Sequence, residues 1–521
     1  MSNIMNYFLY IFLILAVEAS VISFGYDKEK QTIYPLKGVF SSNDLVAKVE
    51  YLETMNVTGW DTLKIETNEE YPLDVQATAV GFAEGYTSLD HIEQHMKNIK
   101  NINFGNKAVP TALYQFLQDQ MDWMEKMIQN HNSTEDLYWE NVRLVLVQLK
   151  GMQTGYNSLM DEEHQVSLID LYMHNSDGDM ETLLDIFLKD KAEFRTGYDC
   201  SAFIKRSKDG QLYAGHTTWR NYAAMLRIYK YYTLNYGSDI INAKTVGFSS
   251  SPGFISSKDD YYTTSNNIIA METTNSVYDE EVLKRVIPTT VPCWIRSVVA
   301  SRMAGSPREW IEIFGKYNSG TYNNQWMALD VTAAEDKEEN VLVISEQIPG
   351  EYEVRDVSSI LKNQTYWSSY NIPYIRSIYE HSGYPSKGTG AENDYYNCSR
   401  HRIFDREQVI NVQDIESMKH IMQFNEYETD PLSEGHPERS ISSRYDLRYP
   451  NHAAFGGIDS KITSTSLMMN HTTIAISGPT HQNIKPFSWS EFEKIHPENP
   501  SHEGLPDVYN FDWVNVDPKQ N

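Results

Sequence analysis

Cys200 is the residue whose type and setting point most directly to chemistry. It precedes two short runs, residues 202–206 and 211–216, that are separated by the turn Lys208-Asp209-Gly210. An Asp-Gly pair between such runs predicts a β-hairpin. The returning strand would carry His216 next to the thiol, and a thiol beside an imidazole favours a nucleophile. A buried structural cysteine remains the alternative, because cysteines that form no disulfide are often packed in cores.

Length and composition indicate the kind of fold that must position this thiol. With 521 residues and 41% hydrophobic content, the chain can bury a large core. It contains no Gly/Ser-rich or Pro-rich spacer and no internal repeat, so we expect one compact body rather than a repeat array. The net charge is 44 − 71 = −27, which argues against nucleic acid and anionic lipid surfaces as partners. This charge suits an acidic lumen, although acidic cytosolic proteins are also common.

Secondary structure ahead of Cys200 is predicted from the periodicity of apolar residues. Residues 31–85 are interpreted as β-rich, with strands at 38–40, 47–51 and 75–80. A helix should open at residues 87–90, and an amphipathic helix should follow Pro110. A more buried helix should cover residues 139–149. These helices are expected to be scaffolding.

Two further patterns are similar to metal-binding motifs without matching them. His91 and His95 are four residues apart on a predicted helix, but the glutamate between them is misplaced for a zincin motif. Residues 175–179 lack the spacing and the terminal glutamate of a calcium loop. They are interpreted as a turn before a helix at 180–188. We therefore expect no metal ion and no other cofactor.

The N-terminus predicts export from the cytosol. Residues 8–17 are apolar and are followed by small residues, which is typical of a signal peptide, here residues 1–19. The apolar run is too short to span a membrane comfortably, so no transmembrane anchor is expected. The predicted location is secreted, or the lysosomal or endosomal lumen. Five glycosylation sequons agree with this route, and they are Asn56, Asn132, Asn363, Asn397 and Asn470.

The chain has an odd number of cysteines, with three in all. If Cys200 is a nucleophile and stays reduced, Cys293 and Cys398 remain as one pair that could form a disulfide. The sequence alone cannot show whether these two residues meet.

Several blocks of sequence together indicate one family. They include Asp-Cys-Ser-Ala at 199–202, His-Thr-Thr-Trp at 216–219, Glu-Thr-Thr at 272–274, the run at 318–326, Ser-Tyr-Asn-Ile-Pro-Tyr at 369–374, Ser399-Arg400 with Ile403-Phe404, Gly-Gly-Ile-Asp at 456–459 and the run at 80–86. In this order and spacing the chain resembles the phospholipase B-like proteins, also called the lamina ancestor family. The resemblance extends from about residue 35 to about residue 515.

This family belongs to the N-terminal nucleophile hydrolases, and the resemblance therefore implies a fold. The implied fold is α+β, a four-layer αββα sandwich of two stacked antiparallel sheets with helices outside. The resemblance also implies self-cleavage of the Asp199–Cys200 bond, giving fragments 20–199 and 200–521 that stay together in one compact domain. A linker that the family trims would correspond to residues 161–199, whose acidic residues favour exposure, although its Leu-rich part is predicted to be helical.

The resemblance further implies which residues form the site. Asn371 would polarise the substrate carbonyl, and Arg400 would steady an amine or a substrate anion. The full set of implied site residues is Cys200, His216, Trp219, Thr274, Asn371 and Arg400. Strand-end packing, backbone contacts and a structural ion pair are the alternatives for the residues other than Cys200. Ser399 departs from the family, which often has proline before the arginine.

The implied chemistry agrees with the ordinary properties of these groups. After cleavage, Cys200 would carry an α-amine with a reference pKa of about 8 beside a thiol of about 8.5, so the amine can accept the thiol proton. Before cleavage that nitrogen is an amide, and this base does not exist. The thiolate would attack an ester or amide carbonyl, and water would resolve the acyl-enzyme.

The leading hypothesis is a secreted or lysosomal hydrolase that removes fatty acyl groups from phospholipids. An amidase acting on N-acyl or peptide-like amides is the first alternative, because the same nucleophile serves both bonds. A lumenal lipid-binding protein without turnover is the second. The expected partner is a phospholipid or another acylated small molecule, with no nucleic acid, and the hydrophobic content allows a homodimer.

Overall fold

The computed structural model describes most of the chain. The described residues are 19–38, 41, 44–105, 107–131, 135–188, 200–388, 390–410, 412–497 and 501–518. The predicted signal peptide up to residue 18, residues 39 and 40 of a predicted strand, Asp199 at the predicted cleavage bond, and the sequon at Asn132 lie outside the described residues. What the sequence predicts for these residues therefore stays a prediction.

Most strands belong to two sheets. In chain order the strands are β1 (Ser20–Asp27), β2 (Thr32–Pro35), β3 (Ala47–Leu52), β4 (Asp61–Thr67), β5 (Cys200–Arg206), β6 (Leu212–Asn221), β7 (Ile228–Thr233), β8 (Thr245–Ser250), β9 (Tyr261–Thr264), β10 (Ile268–Thr274), β11 (Asn324–Asp330), β12 (Leu342–Ile348), β13 (Glu351–Asp356), β14 (Tyr366–Ser369), β15 (Phe455–Ser464), β16 (Thr473–Ser477), β17 (Phe487–Ser488), β18 (Val508–Tyr509) and β19 (Val514–Val516). The larger sheet has the order β13-β12-β11-β10-β9-β8-β7-β4-β3-β1-β2. The smaller sheet has the order β14-β5-β6-β15-β16-β19.

The pairing in the larger sheet joins the two sides of Cys200. Strands β1 to β4 precede Cys200, and β4 pairs in parallel with β7, which follows it. The other neighbours of these two strands, β3 and β8, pair with them antiparallel. Both predicted fragments therefore contribute strands to one continuous sheet.

Helices account for much of the remaining chain. They are α1 (Met55–Thr58), α2 (Leu73–Thr87), α3 (Leu89–Phe104), α4 (Thr111–Asn130), α5 (Leu137–Asn157), α6 (Leu168–Asn175), α7 (Asp177–Phe187), α8 (Glu280–Leu283), α9 (Cys293–Met303), α10 (Pro307–Gly315), α11 (Ser358–Gln364), α12 (Arg376–His381), α13 (Ser399–Ile410), α14 (Ile415–Met422), α15 (Thr465–Met468) and α16 (Trp489–Phe492). The predicted helices α3, α4, α5 and α7 are confirmed, with α7 beginning earlier than expected. Within the described ranges, none of these helices has the length and apolarity needed to cross a bilayer.

Helices cover the outer face of each sheet. Side chains of α2, α5, α9 and α10 share one core with the larger sheet. Side chains of α13 and α14 share another core with Phe203 of the smaller sheet. A third core, which includes Ala202 and Ile269, lies between the sheets. This is a four-layer αββα sandwich of two stacked, largely antiparallel sheets, so the predicted fold class is confirmed.

Residues 75–80 are helical, which corrects the strand predicted there. They belong to α2, which crosses α5 at very short range. A Cβ atom added at Gly81 would lie 1.8 Å from the Gln148 carbonyl oxygen, and one added at Gly155 would lie 2.2 Å from that of Phe82. Only glycine allows two backbones to approach this closely. The spacing of small residues along both helices, a helical signal, outweighs the short period-two pattern.

Residues 168–187, within the stretch 161–199, are more buried than their acidic composition predicts. Helices α6 and α7 lie within it and pack into a core beside α4, α5 and α9. Carboxylates of α7 are engaged with buried cations, since Asp177 pairs with Arg220 and Glu181 lies 2.8 Å from Lys258 Nζ. The expected exposure is therefore wrong for residues 168–187. Removal of a linker stays a prediction, and residues 189–199 lie outside the described part.

Cys293 and Cys398 do not form the disulfide that the sequence left open. Cys293 begins α9 in the core outside the larger sheet, and its backbone N–H donates to Asp179 Oδ1 at 3.0 Å. Cys398 lies in the core outside the smaller sheet, where its Sγ is 3.9 Å from the Tyr395 carbonyl oxygen. Because both sheets separate these two cores, the thiols cannot meet.

Candidate active site

The predicted hairpin is present and places Cys200 at the start of its first strand. Strands β5 and β6 pair antiparallel, with Cys200 opposite Thr218 and Ala202 opposite His216. The second strand is longer than expected and continues to Asn221. Cys200 itself is 2% exposed. Strand pairing therefore delivers the imidazole to the neighbourhood of the thiol, as the sequence predicts.

The two faces of the hairpin have different surroundings. Alternate side chains of a strand point to opposite faces. Ala202 lies in the core between the sheets, whereas Phe203 lies in the core beneath α13 and α14. By the same alternation, Cys200 and His216 face the space between the sheets, and Trp219 faces the helices.

Both backbone groups of Cys200 are held by side chains from distant parts of the chain. Its N–H donates to Asn371 Oδ1 at 3.3 Å, and its carbonyl accepts from Arg400 Nη1 at 2.6 Å. Asn371 follows β14, which pairs with β5, and Arg400 lies in the first turn of α13. Two of the predicted site residues therefore converge on Cys200.

Asn371 adopts a left-handed backbone conformation, with φ of 69°. Asparagine tolerates this region better than most residues. Its Nδ2 donates to the Thr274 carbonyl at 2.7 Å, and its own carbonyl accepts from the Tyr384 hydroxyl at 2.7 Å. The side chain therefore links the Cys200 nitrogen to the end of β10. The role predicted for this amide was to polarise a substrate carbonyl, and it stays a prediction.

Arg400 and Trp219 form one unit on the outer face of the hairpin. The guanidinium carbon lies 4.5 Å from the centre of the indole ring, a cation–π contact. The indole N–H donates to the Ile441 carbonyl at 3.0 Å, and Arg400 Nη2 donates to the Tyr370 carbonyl at 2.6 Å. Trp219 therefore packs against the arginine that hydrogen-bonds the Cys200 carbonyl. The indole itself does not face the thiol side chain.

His216 is a neutral imidazole with a fixed orientation. Its Nε2 lies 2.7 Å from the Glu272 carbonyl oxygen, which can only accept, so Nε2 carries the proton. Burial, with the nearby positive charge of Lys461, holds the pKa of His216 well below its ordinary value. The other ring nitrogen, Nδ1, lies 3.4 Å from Thr218 Oγ1. This imidazole is therefore poorly suited to accept a proton.

Two carboxyl groups that the sequence analysis did not assign lie close to the predicted site. Asp260 precedes β9 and Glu272 lies on β10, and both are buried. They are neighbours across the two strands, since the Glu272 N–H donates to the Asp260 carbonyl at 3.3 Å. Thr274 Oγ1 lies 3.5 Å from Glu272 Oε1, and the Tyr322 hydroxyl donates to Asp260. For Asp260, the signal available in the sequence was the pair Asp259-Asp260 directly before the aromatic residues that begin β9.

A buried cluster of charged side chains contacts Thr218 through Lys461. Arg227 donates to Asp259 and, at 2.5 Å, to Asp459 Oδ2. Lys461 Nζ donates to Asp459 Oδ1 and to Thr218 Oγ1, both at 2.6 Å. Two cations thus face two carboxylates, so the cluster is balanced in charge, as buried ions require. Through Lys461 it fixes the residue opposite Cys200.

The comparison with known proteins agrees with the sequence blocks. The family model described as Phospholipase B matches residues 47–516. The chain belongs to the phospholipase B family. Phospholipase B-like protein G of Dictyostelium discoideum is 37% identical, over 92% of this chain and 87% of that protein. Phospholipase B of Crotalus adamanteus is 34% identical, over 94% and 91% respectively.

A solved structure gives a weaker likeness. The conjugated bile acid hydrolase of Clostridium perfringens shares 10% sequence identity, covers 53% of this chain and 89% of that chain, and has a TM-score of 0.32. The fold of this phospholipase B family member is therefore assigned from its own four layers.

The four sequons in the described residues, at Asn56, Asn363, Asn397 and Asn470, are exposed. Asn397 is close in sequence to Arg400, which is buried. Between them, Ser399 donates its N–H and hydroxyl to Glu392 at 3.1 and 3.0 Å and anchors the start of α13. The chain therefore turns inward after Asn397, so a glycan there would point away from the site. Glycosylation itself stays a prediction.

The two histidines on α3 have separate partners. His91 Nδ1 lies 3.1 Å from Asp61 Oδ2, and His95 Nδ1 lies 3.2 Å from His174 Nε2. Across the part of the chain that the structure describes, no group of three or more His, Cys, Asp or Glu side chains could hold a metal ion.

Proposed function

We propose that this chain is a self-processing hydrolase that removes fatty acyl groups from phospholipids, with Cys200 as the nucleophile. The observation that carries the proposal is that side chains hydrogen-bond both backbone groups of Cys200. An acceptor, Asn371 Oδ1, faces its nitrogen, and a donor, Arg400, faces its carbonyl. An N-terminal nucleophile needs this support, because after cleavage no preceding peptide bond holds it. The names of the relatives, phospholipase B and phospholipase B-like, support the substrate class.

The state of His216 supports the α-amine as the base. The imidazole is neutral, with a pKa far below its ordinary value, so it does not take the thiol proton. Cleavage of the Asp199–Cys200 bond would convert the amide nitrogen of Cys200 into an amine with a reference pKa of about 8. Asn371 Oδ1 would then accept a hydrogen bond from the ammonium that forms when the amine takes the proton.

Hydrolysis then follows in two steps. The Cys200 thiolate forms a bond to the ester carbonyl carbon, the carbon–oxygen bond breaks, and the leaving alcohol takes the proton from the ammonium. Water next attacks the thioester and gives a proton to the amine. The carbon–sulfur bond breaks, the fatty acid leaves, and the thiolate recovers its proton. The Asn371 amide is the proposed donor to the oxyanion, and loss of such a donor typically raises the barrier by about 3 kcal/mol.

The same proposal covers processing and location. Because β1 to β4 share a sheet with strands that follow Cys200, the two fragments would stay associated after cleavage. The predicted signal peptide and the exposed sequons support maturation in a secretory or lysosomal lumen.

N-terminal sequencing of the purified protein tests the proposal, with Cys200→Ser and Cys200→Ala as matched variants. We expect wild type to yield a fragment that begins at Cys200, the serine variant to cleave slowly and the alanine variant to stay intact. A wild-type chain that stays whole at every lumenal pH would overturn the mechanism.

A second assay separates the substrate classes. Release of fatty acid from lysophospholipids and from N-acyl amides is compared at acidic pH. We expect release from the lysophospholipid and its loss in Cys200→Ala. Release from amides alone would identify an amidase, and lipid binding without release, unchanged in Cys200→Ala, would identify a lipid-binding protein.

A further inference from the structure

Asn275 lies directly after β10, and both of its neighbours in the chain are tied to Asn371. The Thr274 carbonyl accepts from Asn371 Nδ2 at 2.7 Å. The Ser276 N–H donates at 3.1 Å to the Tyr384 hydroxyl, which itself donates to the Asn371 carbonyl at 2.7 Å. Since Asn371 Oδ1 accepts from the backbone nitrogen of the proposed nucleophile, the backbone of Asn275 is held close to that residue.

The side chain of Asn275 faces the space between the sheets, as Cys200 does. The pairing of β10 with β11 continues past the strand ends, because the Asn275 N–H donates to the Asn323 carbonyl at 2.7 Å. Two residues earlier, Thr273 Oγ1 lies 2.6 Å from Ser369 Oγ of the smaller sheet. Because alternate side chains of a strand share a face, Asn275 and its cross-strand neighbour Asn323 also point toward the smaller sheet.

Three polar atoms of these two amides find no hydrogen-bond partner in the described part of the chain. Asn275 and Asn323 are each 3% exposed. The unpaired atoms are Asn275 Oδ1, Asn275 Nδ2 and Asn323 Oδ1, whereas Asn323 Nδ2 donates to the Gly320 carbonyl at 2.9 Å. A buried polar atom without a partner is costly, and native proteins contain few of them. Three such atoms beside a proposed nucleophile therefore indicate groups that a substrate satisfies.

The unpaired atoms define the chemistry of that substrate. Asn275 Nδ2 is a donor, and it suits the acyl carbonyl oxygen, which gains negative charge as the thiolate attacks. Asn275 Oδ1 and Asn323 Oδ1 are acceptors, and they need a donor next to that carbonyl. A monoacyl glycerophospholipid offers both groups, because its free glycerol hydroxyl lies beside the ester. A diacyl phospholipid carries a second ester at that position and offers no donor there.

We propose that Asn275 and Asn323 form a substrate subsite that selects monoacyl phospholipids. Asn275 Nδ2 donates to the ester carbonyl oxygen, and the two amide oxygens accept from the free glycerol hydroxyl. Asn275 is thereby a second donor to the oxyanion, beside the Asn371 amide that already holds the Cys200 nitrogen and the Thr274 carbonyl. The inference rests on the proposed function, since it names the substrate class of that same site.

Wild type is tested first, with two lipids that differ by one hydroxyl group. A lysophosphatidylcholine is compared with its deoxy analogue, in which hydrogen replaces the free glycerol hydroxyl, at equal acyl-chain length. We expect kcat/KM for fatty-acid release to be about 10- to 100-fold lower for the analogue, because it leaves buried amide oxygens without a donor. Equal values for the two lipids would overturn the inference.

Variants then assign the preference to the two amides. Asn323→Ala removes one acceptor, so the preference for the hydroxyl-bearing lipid should fall about tenfold while release from the deoxy analogue changes little. Asn275→Ala also removes the donor to the oxyanion, so kcat should fall about 100-fold for both lipids. Formation of the fragment that begins at Cys200 reports that each variant has folded. If Asn323→Ala does not fold, the wild-type comparison of the two lipids still decides.

Asn324→Ala is the matched control. Asn324 is also a buried amide with an unpaired Nδ2. It lies opposite Thr274, one residue along each strand, and therefore faces the other side of the larger sheet. The control should keep the wild-type preference between the lipids. A folded Asn323→Ala variant with the wild-type preference, or an equal loss of preference in Asn324→Ala, would overturn the inference.

The outcomes separate the two claims. A wild-type chain that forms its fragments but releases no fatty acid from either lipid would overturn the proposed function, and the inference with it. Release from both lipids with equal kcat/KM would agree with the proposed function and overturn the inference alone, since water would then satisfy the amide oxygens equally well.

Discussion

The loop between β8 and β9, residues 251–260, meets a buried titratable pair at each end, and the two pairs respond to acid in opposite ways. At its start, the Pro252 carbonyl lies 3.1 Å from His95 Nδ1 and 3.3 Å from His174 Nε2. At its end, Asp260 lies across from Glu272, whose N–H donates to the Asp260 carbonyl at 3.3 Å. Both pairs are buried, and in both the uncharged form is favoured.

The comparison shows that burial alone shifts the pKa of a histidine and the pKa of a carboxyl group in opposite directions. Burial penalises the charged form, which for histidine is the protonated form and for a carboxyl group is the deprotonated form. Burial lowers the pKa of His174 to about 4 and raises that of Asp260 to about 6. Acidification therefore destabilises the fold through the histidines and relieves a cost at the carboxyl pair. We expect the two contributions to offset one another between about pH 6 and 4.

The largest effect is expected from the ion cluster that anchors this loop at Asp259, directly before Asp260. Arg227→Met leaves Asp259 and Asp459 with Lys461 alone, so the free energy of unfolding should fall by about 3–5 kcal/mol. Arg285→Met, which removes an exposed ion pair with Glu351, should cost less than about 1 kcal/mol. Denaturant unfolding measures both, and equal losses in the two variants would contradict the role of the cluster.

At the start of the loop, we expect His174 to make the fold less stable in acid. The pKa of His174 is lower in the folded than in the unfolded chain, so its contribution is present above about pH 6.5 and is lost as the pH falls toward 4. The loss should approach about 3 kcal/mol. His174→Gln should flatten this part of the curve of melting temperature against pH, whereas His381→Gln, an exposed control, should not. An unchanged slope in His174→Gln would disprove the assignment.

At the end of the loop, we expect Asp260 to change the stability with pH in the opposite direction, by a slightly smaller amount. The pKa of Asp260 is higher in the folded than in the unfolded chain, so a cost is present above about pH 6 and disappears as the pH falls toward 3.8. Relative to Asp260→Asn, wild type should gain about 2–3 kcal/mol of stability over that interval. Calorimetry across this range measures the gain, and a gain on raising the pH would reverse the sign and refute the comparison.

The smallest effect is expected at Gly253, which shapes the turn beside the histidines. Its φ is +79°, and an added Cβ would lie 3.2 Å from Ile92 Cγ2 and 3.3 Å from His174. Gly253→Ala should cost about 1–2 kcal/mol through backbone strain. Gly390→Ala is the control, because its nearest neighbour, Asn393 Nδ2, lies 3.8 Å away. Equal melting temperatures in the two variants would contradict the strain.

Local patterns predicted the parts of the site that depend on neighbouring residues. The Asp-Gly turn indicated the hairpin, and the hairpin register places His216 beside the Cys200 strand. The apolar spacing after Pro110 indicated α4. The family blocks indicated that Asn371 and Arg400 belong near Cys200, which the hydrogen bonds of its backbone confirm. The catalytic roles of these residues stay predictions.

Tertiary contacts decided the rest, because those features depend on partners that are far apart in the chain. Position 81 accepts only glycine because the Gln148 carbonyl of α5 leaves no room for a side chain, and no window around Gly81 contains that partner. The expected exposure of 168–187 is wrong because two buried cations from later in the chain, Arg220 and Lys258, pair with its acidic residues. The sequence by itself determined the hairpin, several helices and the family. Only the folded chain decided which buried charges meet, because desolvation and pairing depend on the complete surroundings of each group.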